Sequence, residues 1–252
     1  MPKFIRIFPA IAALSLLSSP GIGAQTGELT DPVPWGESDG STSTTTSTAT
    51  PANEEAKTLA LLGRANGTFK NFMRDPNLAW FQNNVHRAKG LVIFPSFFKG
   101  GFILGGSGGQ GIMVARDRIT GEWLGPVFYN MGGLSLGLQI GGQASEIILM
   151  IMTDKGLDAM LSTKVQLGAS ASIAAGPVGK GAEAGLVDVF TFARSKGAFI
   201  GVSLDGAVMT TSDKRNAVYY GAPVTSIEVL VTKRITPAVK PAVVQSVEYA
   251  VE

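Results

Sequence analysis

The sequence predicts an α+β fold: a strongly twisted, glycine-rich, mainly antiparallel sheet, half-barrel-like, covered by N-terminal helices and short helices. Three observations carry this reading. Residues 90–206 hold 24 of the 32 glycines, with β-branched and aromatic residues between them. Leu134, Leu136, Leu138 and Ile140 alternate with small or polar residues, and Ala198, Ile200, Val202 and Leu204 repeat the pattern, the period of a half-buried strand. Upstream of Gly90 the apolar residues recur at steps of three and four, the period of an amphipathic helix. At 252 residues and 45% hydrophobic content the chain is long enough for one or two domains with a sizeable core.

The first 24 residues read as a secretory signal peptide. Lys3 and Arg6 form a positive start, residues 7–17 a short apolar stretch interrupted by Pro9, and small residues lead to Ala24. The apolar stretch is too short to span a bilayer comfortably, and the other reading is an uncleaved amphipathic anchor. Residues 25–52 are rich in Ser, Thr, Gly and Pro and offer almost nothing to bury, the composition of a disordered linker. A helix follows over roughly 53–73, with Leu62, Ala65, Phe69 and Phe72 on one face. Asp75 then reads as an N-cap, with Pro76 at the first helical position and Leu78, Phe81 and Val85 as the next apolar face. Both helices are expected to cover a sheet; the sharper alternative puts the first on a membrane surface.

Among the strands, Ile147–Met152 is an unbroken apolar run, which predicts cover on both faces, and Phe190 and Phe192 flank Thr191 in another. Asp154 reads as the cap of a short helix carrying Leu157, Met160 and Leu161. Beyond residue 223 one short helix, TSIEVLV, precedes a Pro-punctuated end expected to be mobile.

Two known signatures overlap in GFILGGSGGQGIMVARDR at 101–118. Gly106, Gly108 and Gly111 spell GxGxxG, but no helix pattern opens after them and no acidic residue stands about twenty positions on, as dinucleotide binding needs. Gly105, Ser107 and Gly109 spell GxSxG, but the only histidine, His86, precedes the serine, the wrong order for a nucleophile elbow. A Ser107–Lys99 pairing has no supporting spacing. His86 reads as an exposed or capping residue at a helix end. The stretch is expected to form two short strands around a glycine-rich turn. The absence of cysteine excludes disulfides, cysteine-bound metals and a lipoprotein anchor, and one histidine excludes a multi-histidine site within the chain. No cofactor and no catalytic constellation is implied. The formal charge of +2 comes from Lys3 and Arg6; the remainder carries 19 basic and 19 acidic residues, which argues against bulk nucleic-acid binding.

The run KGGFILGGSGGQGIMVARDRITGEWLGPVFYNMGGLSLGLQIGGQASEIILMIMT resembles the SYLF domain family, also called the actin-binding DUF500 family. Supporting marks are Leu167-Gly168, AGPVGK at 175–180, FTFARSKGAFIGVSLDG at 190–206 and NAVYYG at 216–221. The resemblance covers about 55–222 and sets the expected domain at 53–222, leaving 223–252 as a helix and tail. Where the family often has Trp-Ser-x-Pro, this chain has Trp123-Leu124-Gly125-Pro126. The resemblance implies a lipid-binding module rather than an enzyme. Eukaryotic relatives are associated with phosphoinositide membranes and actin, and bacterial ones are exported.

For this chain, with its leader and no cysteine, the expectation is a periplasmic or secreted protein, peripheral to a membrane. Its expected partners are anionic phospholipids or a membrane surface, not actin and not nucleic acid. The residues offer a route: Lys89, Lys99, Arg116 and Arg118 fall within thirty positions, with Asp117 the only acid among them, and gathered together they would attract anionic headgroups. Phe97 and Phe98 either enter the interface beside Lys99 or pack in the core. Lys180 sits in a glycine-flanked loop whose amides suit a phosphate. The predicted lipid-binding residues are therefore Lys99, Arg116, Arg118, Lys180, Phe97 and Phe98. The competing reading is a structural or protein-interaction module of the cell envelope, pairing through edge strands.

Overall fold

The computed structural model describes residues 50–101, 104–136, 141–177, 187–195, 198–199 and 204–251. The expected leader, almost all of the linker, residues 137–140 of one predicted strand and residues 200–203 of another lie outside them.

The chain enters through α1, Pro51–Arg74, with Pro51 in the first turn, where its missing N–H costs nothing. Leu61, Ala65, Phe69 and Phe72 form the buried stripe; Leu62, expected on that face, sits half-buried beside it. Asp75 caps the next turn as predicted, its carboxylate accepting the Asn77 N–H at 3.0 Å. A 3-10 turn at Pro76–Leu78 leads into α2, Ala79–Asn84, and a second at Val85–Arg87 carries the exposed His86. Leu78, Phe81 and Val85 are buried, so the helical face read from sequence is the one observed.

Four long strands follow: β1 Gly90–Gly101, β2 Leu104–Arg116, β3 Trp123–Leu136 and β4 Gly141–Ile151. Helix α3, Asp154–Met160, and the short strands β5 Lys164–Gln166 and β6 Ile173–Ala175 come next. Then come β7 Val189–Ser195, β8 Ala198–Phe199 and β9 Val208–Thr211. Helices α4 Asp213–Tyr220, α5 Ser226–Leu230 and α6 Ala242–Val251 complete the described chain. The nine strands form one sheet in the order β5-β9-β3-β2-β1-β4-β7-β6, with β8 on β7, and every pairing except β6–β7 is antiparallel. The predicted fold class is the one observed.

The two ends of the sheet, β5 and β6, are neighbours in sequence. Their connection spans at most about 24 Å when fully extended, whereas eight strands laid flat would extend about 34 Å. The sheet therefore has to curl. A parallel bridge between Leu167 and Ala171, within that connection, marks the near-closure.

Curling gives the sheet an inner and an outer face, and each has its own core. Val92, Phe94, Met113, Tyr129, Ile147, Leu149 and Met209 point inward with α3 and α5 residues. Leu91, Ile93, Ile112, Phe128, Ile148 and Met150 point outward under α1, α2 and α6. Residues 147–151 alternate between the two, which is why β4 needs no polar face. Strand β1 is central yet contains Pro95, which cannot donate to a ladder. The register shifts there against both neighbours, a bulge that accommodates the missing donor.

Three expectations are corrected. Residues 104–116 are one strand, paired along its length with β1 and β3, rather than two strands around a turn. Its glycines answer to crowding: a Cβ on Gly109 would stand 2.7 Å from the Ser96 carbonyl oxygen, and one on Gly111 2.5 Å from that of Ile93. The cap of α3 is Thr153, whose hydroxyl accepts the Gly156 N–H at 3.0 Å, with Asp154 one position inside. The expected mobile end contains α6, which buries Val243, Val244 and Val247. The TSIEVLV helix is present as α5, closed by a reciprocal Thr225–Glu228 capping box.

Candidate functional site

The structure does not gather the predicted basic residues. Lys99 lies near one end of β1, while Arg116 and Arg118 lie past the other, where Gly90 pairs Ala115; nine residues of strand put the two groups about 30 Å apart. Arg116 is a staple: its Nε donates to the Gly121 carbonyl at 3.1 Å and its Nη1 to that of His86 at 3.1 Å. Arg118 pairs with Asp158 and lies 3.4 Å from Asp154, which also faces Lys89 at 3.4 Å. Those charges are answered within the protein. Lys99 is exposed and forms no ion pair among the described residues. Phe97 is corrected to core, 3% exposed inside the sheet, whereas Phe98 is 55% exposed on the opposite face. Lys180 lies outside the described residues.

A site of the anticipated chemistry forms elsewhere, between α1 and α6. The stripe of α1 that ends in Phe69 and Phe72 lies on the outer face of the sheet. Val243, Val244 and Val247 bring α6 onto the same layer. Because both helices commit these residues to the core, their adjoining flanks leave a groove of about 630 Å³. Phe69, Met73 and Ala250 line it as extensions of the core beneath. Lys70 and Arg74 stand on the α1 side, one turn apart and both exposed. Gln245, Ser246 and Tyr249 stand on the α6 side, with Tyr249 83% exposed.

The charge of this groove is one-signed. Among the described residues no acidic side chain lines it, and neither Lys70 nor Arg74 forms an ion pair. The nearby carboxylates are occupied. Arg194 places its Nε 3.1 Å from Asp75 and its Nη1 3.4 Å from Glu146, the former a charge contact without hydrogen-bond alignment. Thr68 and Asn71 both donate to Glu146, at 2.9 and 3.1 Å. Gln82 donates to the carbonyls of Phe72 and Asp75 at 3.0 and 2.7 Å and fixes the end of α1. The arrangement offers an apolar trough with two free cations on one wall, suited to an anion that carries an apolar body.

Sequence reading missed this site because half of it is α6. The signal was present in AVVQSVEYAV, where Val243, Val244, Val247 and Val251 recur at helical spacing. Pro237 and Pro241 just before it give the same stretch the look of a Pro-punctuated tail. The remaining motif residues are structural: Ser107 donates to the Gly133 carbonyl at 3.1 Å from within β2. Tyr129 donates to the Met160 carbonyl at 2.9 Å beside the Ser226 hydroxyl, and burial pushes its hydroxyl up to about 12.

Comparison with known proteins gives one family. The Ysc84 family model, described as Las17-binding protein actin regulator, matches residues 132–248, from β3 into α6. The chain is 31% identical over 160 residues to the human SH3 domain-containing YSC84-like protein 1, covering 61% of this chain and 46% of that protein. It is 33% identical over 166 residues to LAS seventeen-binding protein 3 of Saccharomyces cerevisiae, covering 62% of this chain and 36% of that one. The chain thus spans less than half the length of these curated relatives. No solved structure matches.

Proposed function

This chain carries a domain of the Ysc84, or SYLF, family, and from that premise we propose that it is a non-catalytic binding protein for anionic lipid. The observation that carries the proposal is the α1–α6 groove, apolar within and cationic at Lys70 and Arg74. Near an anionic surface each such cation adds about 1 kcal/mol, and the attraction weakens with salt. In the same reading the leader at 1–24 exports the protein to a periplasmic or secreted location, where it works at a membrane surface; cell fractionation and N-terminal sequencing of the recovered protein test that part.

The test of lipid binding is co-sedimentation of the full chain with zwitterionic and anionic vesicles at low and high salt. Anionic vesicles should retain the protein, less so at high salt. Replacing both Lys70 and Arg74 by alanine should weaken retention by about 30-fold, the equivalent of about 2 kcal/mol. Retention that ignores both the lipid charge and the double substitution would rule the proposal out.

A protein partner is the second reading. It is favoured by the name of the yeast relative, a LAS seventeen-binding protein, and a groove between helices can also seat an amphipathic helix. Stable envelope complexes without vesicle binding would support it.

A further inference from the structure

We propose that the α1–α6 groove takes up a single-chain anionic amphiphile, such as a fatty carboxylate, as one molecule from solution, with the acyl chain in the trough and the anionic end between Lys70 and Arg74. The inference rests on the lipid-binding reading and goes further, since a bilayer surface needs no concave site.

Three features select one chain. The volume, about 630 Å³, falls within the roughly 300–1,000 Å³ of small-molecule sites. The lining of α6 runs from Ala242 to Ala250, eight steps of helix or about 12 Å, so the trough is elongated. Its cations come from the last two turns of α1, one turn apart, and share one wall. An elongated apolar trough with positive charge on one side matches a molecule with one tail and one anionic head. Charge decides the sign of the head: Lys70 and Arg74 line the groove, and among the described residues no carboxylate does.

Met73 and Tyr249 suit the role. Methionine adapts its shape to an irregular apolar guest, and Tyr249, mostly exposed over the groove, has an aromatic face to lay along a chain.

The experiment is calorimetric titration of the full chain with a series of fatty carboxylates of increasing length, all below their micellar concentrations, with the alcohol of matching length as the uncharged control. Affinity should rise about fourfold per added methylene, the factor equivalent to its transfer from water, and then level off once the trough is full. The alcohol should bind at least tenfold more weakly, and Lys70→Ala with Arg74→Ala should erase that difference. Ala242→Trp, at an exposed position lining the trough, should block uptake of the carboxylates.

Vesicle retention without uptake of any monomeric carboxylate would overturn this inference and leave the surface-binding reading standing. Failure of both assays would overturn both. Binding that ignores chain length, or that survives Ala242→Trp unchanged, would also overturn the single-chain proposal.

Discussion

Gly106 and Gly111 lie five positions apart in one strand and answer to different constraints. A Cβ on Gly111 would stand 2.5 Å from the Ile93 carbonyl oxygen and 2.6 Å from the Phe94 ring, whereas one on Gly106 would meet nothing within 4 Å. Gly111→Ala should therefore cost about 2 kcal/mol or more through overpacking. Gly106→Ala should be neutral or stabilise by about 0.5–1 kcal/mol, the ordinary advantage of alanine over glycine in a strand. Urea denaturation of the two variants checks the contrast. The same distinction separates the strand observed from the turn that composition predicts, since composition is alike for a glycine that bends the chain and one that lets two strands approach.

Asp188 is the other residue whose role only the fold reveals. Its carboxylate accepts from the Thr153 hydroxyl at 2.6 Å, from the Ser172 N–H at 3.0 Å and hydroxyl at 2.8 Å, and from Lys155 at 3.2 Å. These bonds, that from Thr153 foremost, hold the carboxyl well below the usual carboxylate range. A depressed folded-state value means that the stabilisation is complete above the unfolded value, about 3.9, and is lost as pH falls below it toward the folded value. Asp188→Asn should lower stability at neutral pH by about 2 kcal/mol, about 4–8 °C in melting temperature for a domain of this size. It should also flatten the acid limb of the stability–pH curve.

At the scale of elements, α1 is held by two unlike devices. Its stripe buries Leu61, Ala65, Phe69 and Phe72 against the sheet, and its end is tied by Arg194, Asp75 and Glu146. The first device was legible from periodicity. The second was not, because its members lie just past α1, on β4 and on β7, and nothing local in the sequence says that they meet. Helix α6 adds the third support. Val247→Ala removes two buried carbons from its inner face and should cost about 2 kcal/mol. Denaturant titration measures that loss, and the expectation is that fatty carboxylate binding weakens with it while the far strands keep their hydrogen-exchange protection. Short helices with good caps were found correctly, as the Thr225–Glu228 box at α5 illustrates. Helices defined only by what they pack against were not.

For the whole molecule, the decisive feature is the connection from β5 to β6, which joins the two ends of the sheet. Gly168 sits in it at φ +86°, and a Cβ there would collide with the Asp205 carboxylate. Gly168→Ala puts an L side chain on a left-handed backbone and should cost about 1–2 kcal/mol, since the exposed Asp205 side chain can turn aside. If the connection governs closure, exchange protection should fall first at β5, β6 and β9, with β1–β4 little affected. Sequence alternation indicated that strands exist, and the glycine content that the sheet twists. Strand order was not readable, because pairing β3 with β9 depends on closure by residues far away in the chain.

The contact between α1 and α6 joins the first described helix to the last. During synthesis α1 and the strands emerge well before the residues that complete the groove. Until α6 arrives, Phe69 and its neighbours on α1 have no cover on that flank. A chain truncated before Ala242 should therefore lack one wall of the groove and present no trough. Whatever binds there touches both helices at once, and so stabilises a contact between two segments far apart in the chain.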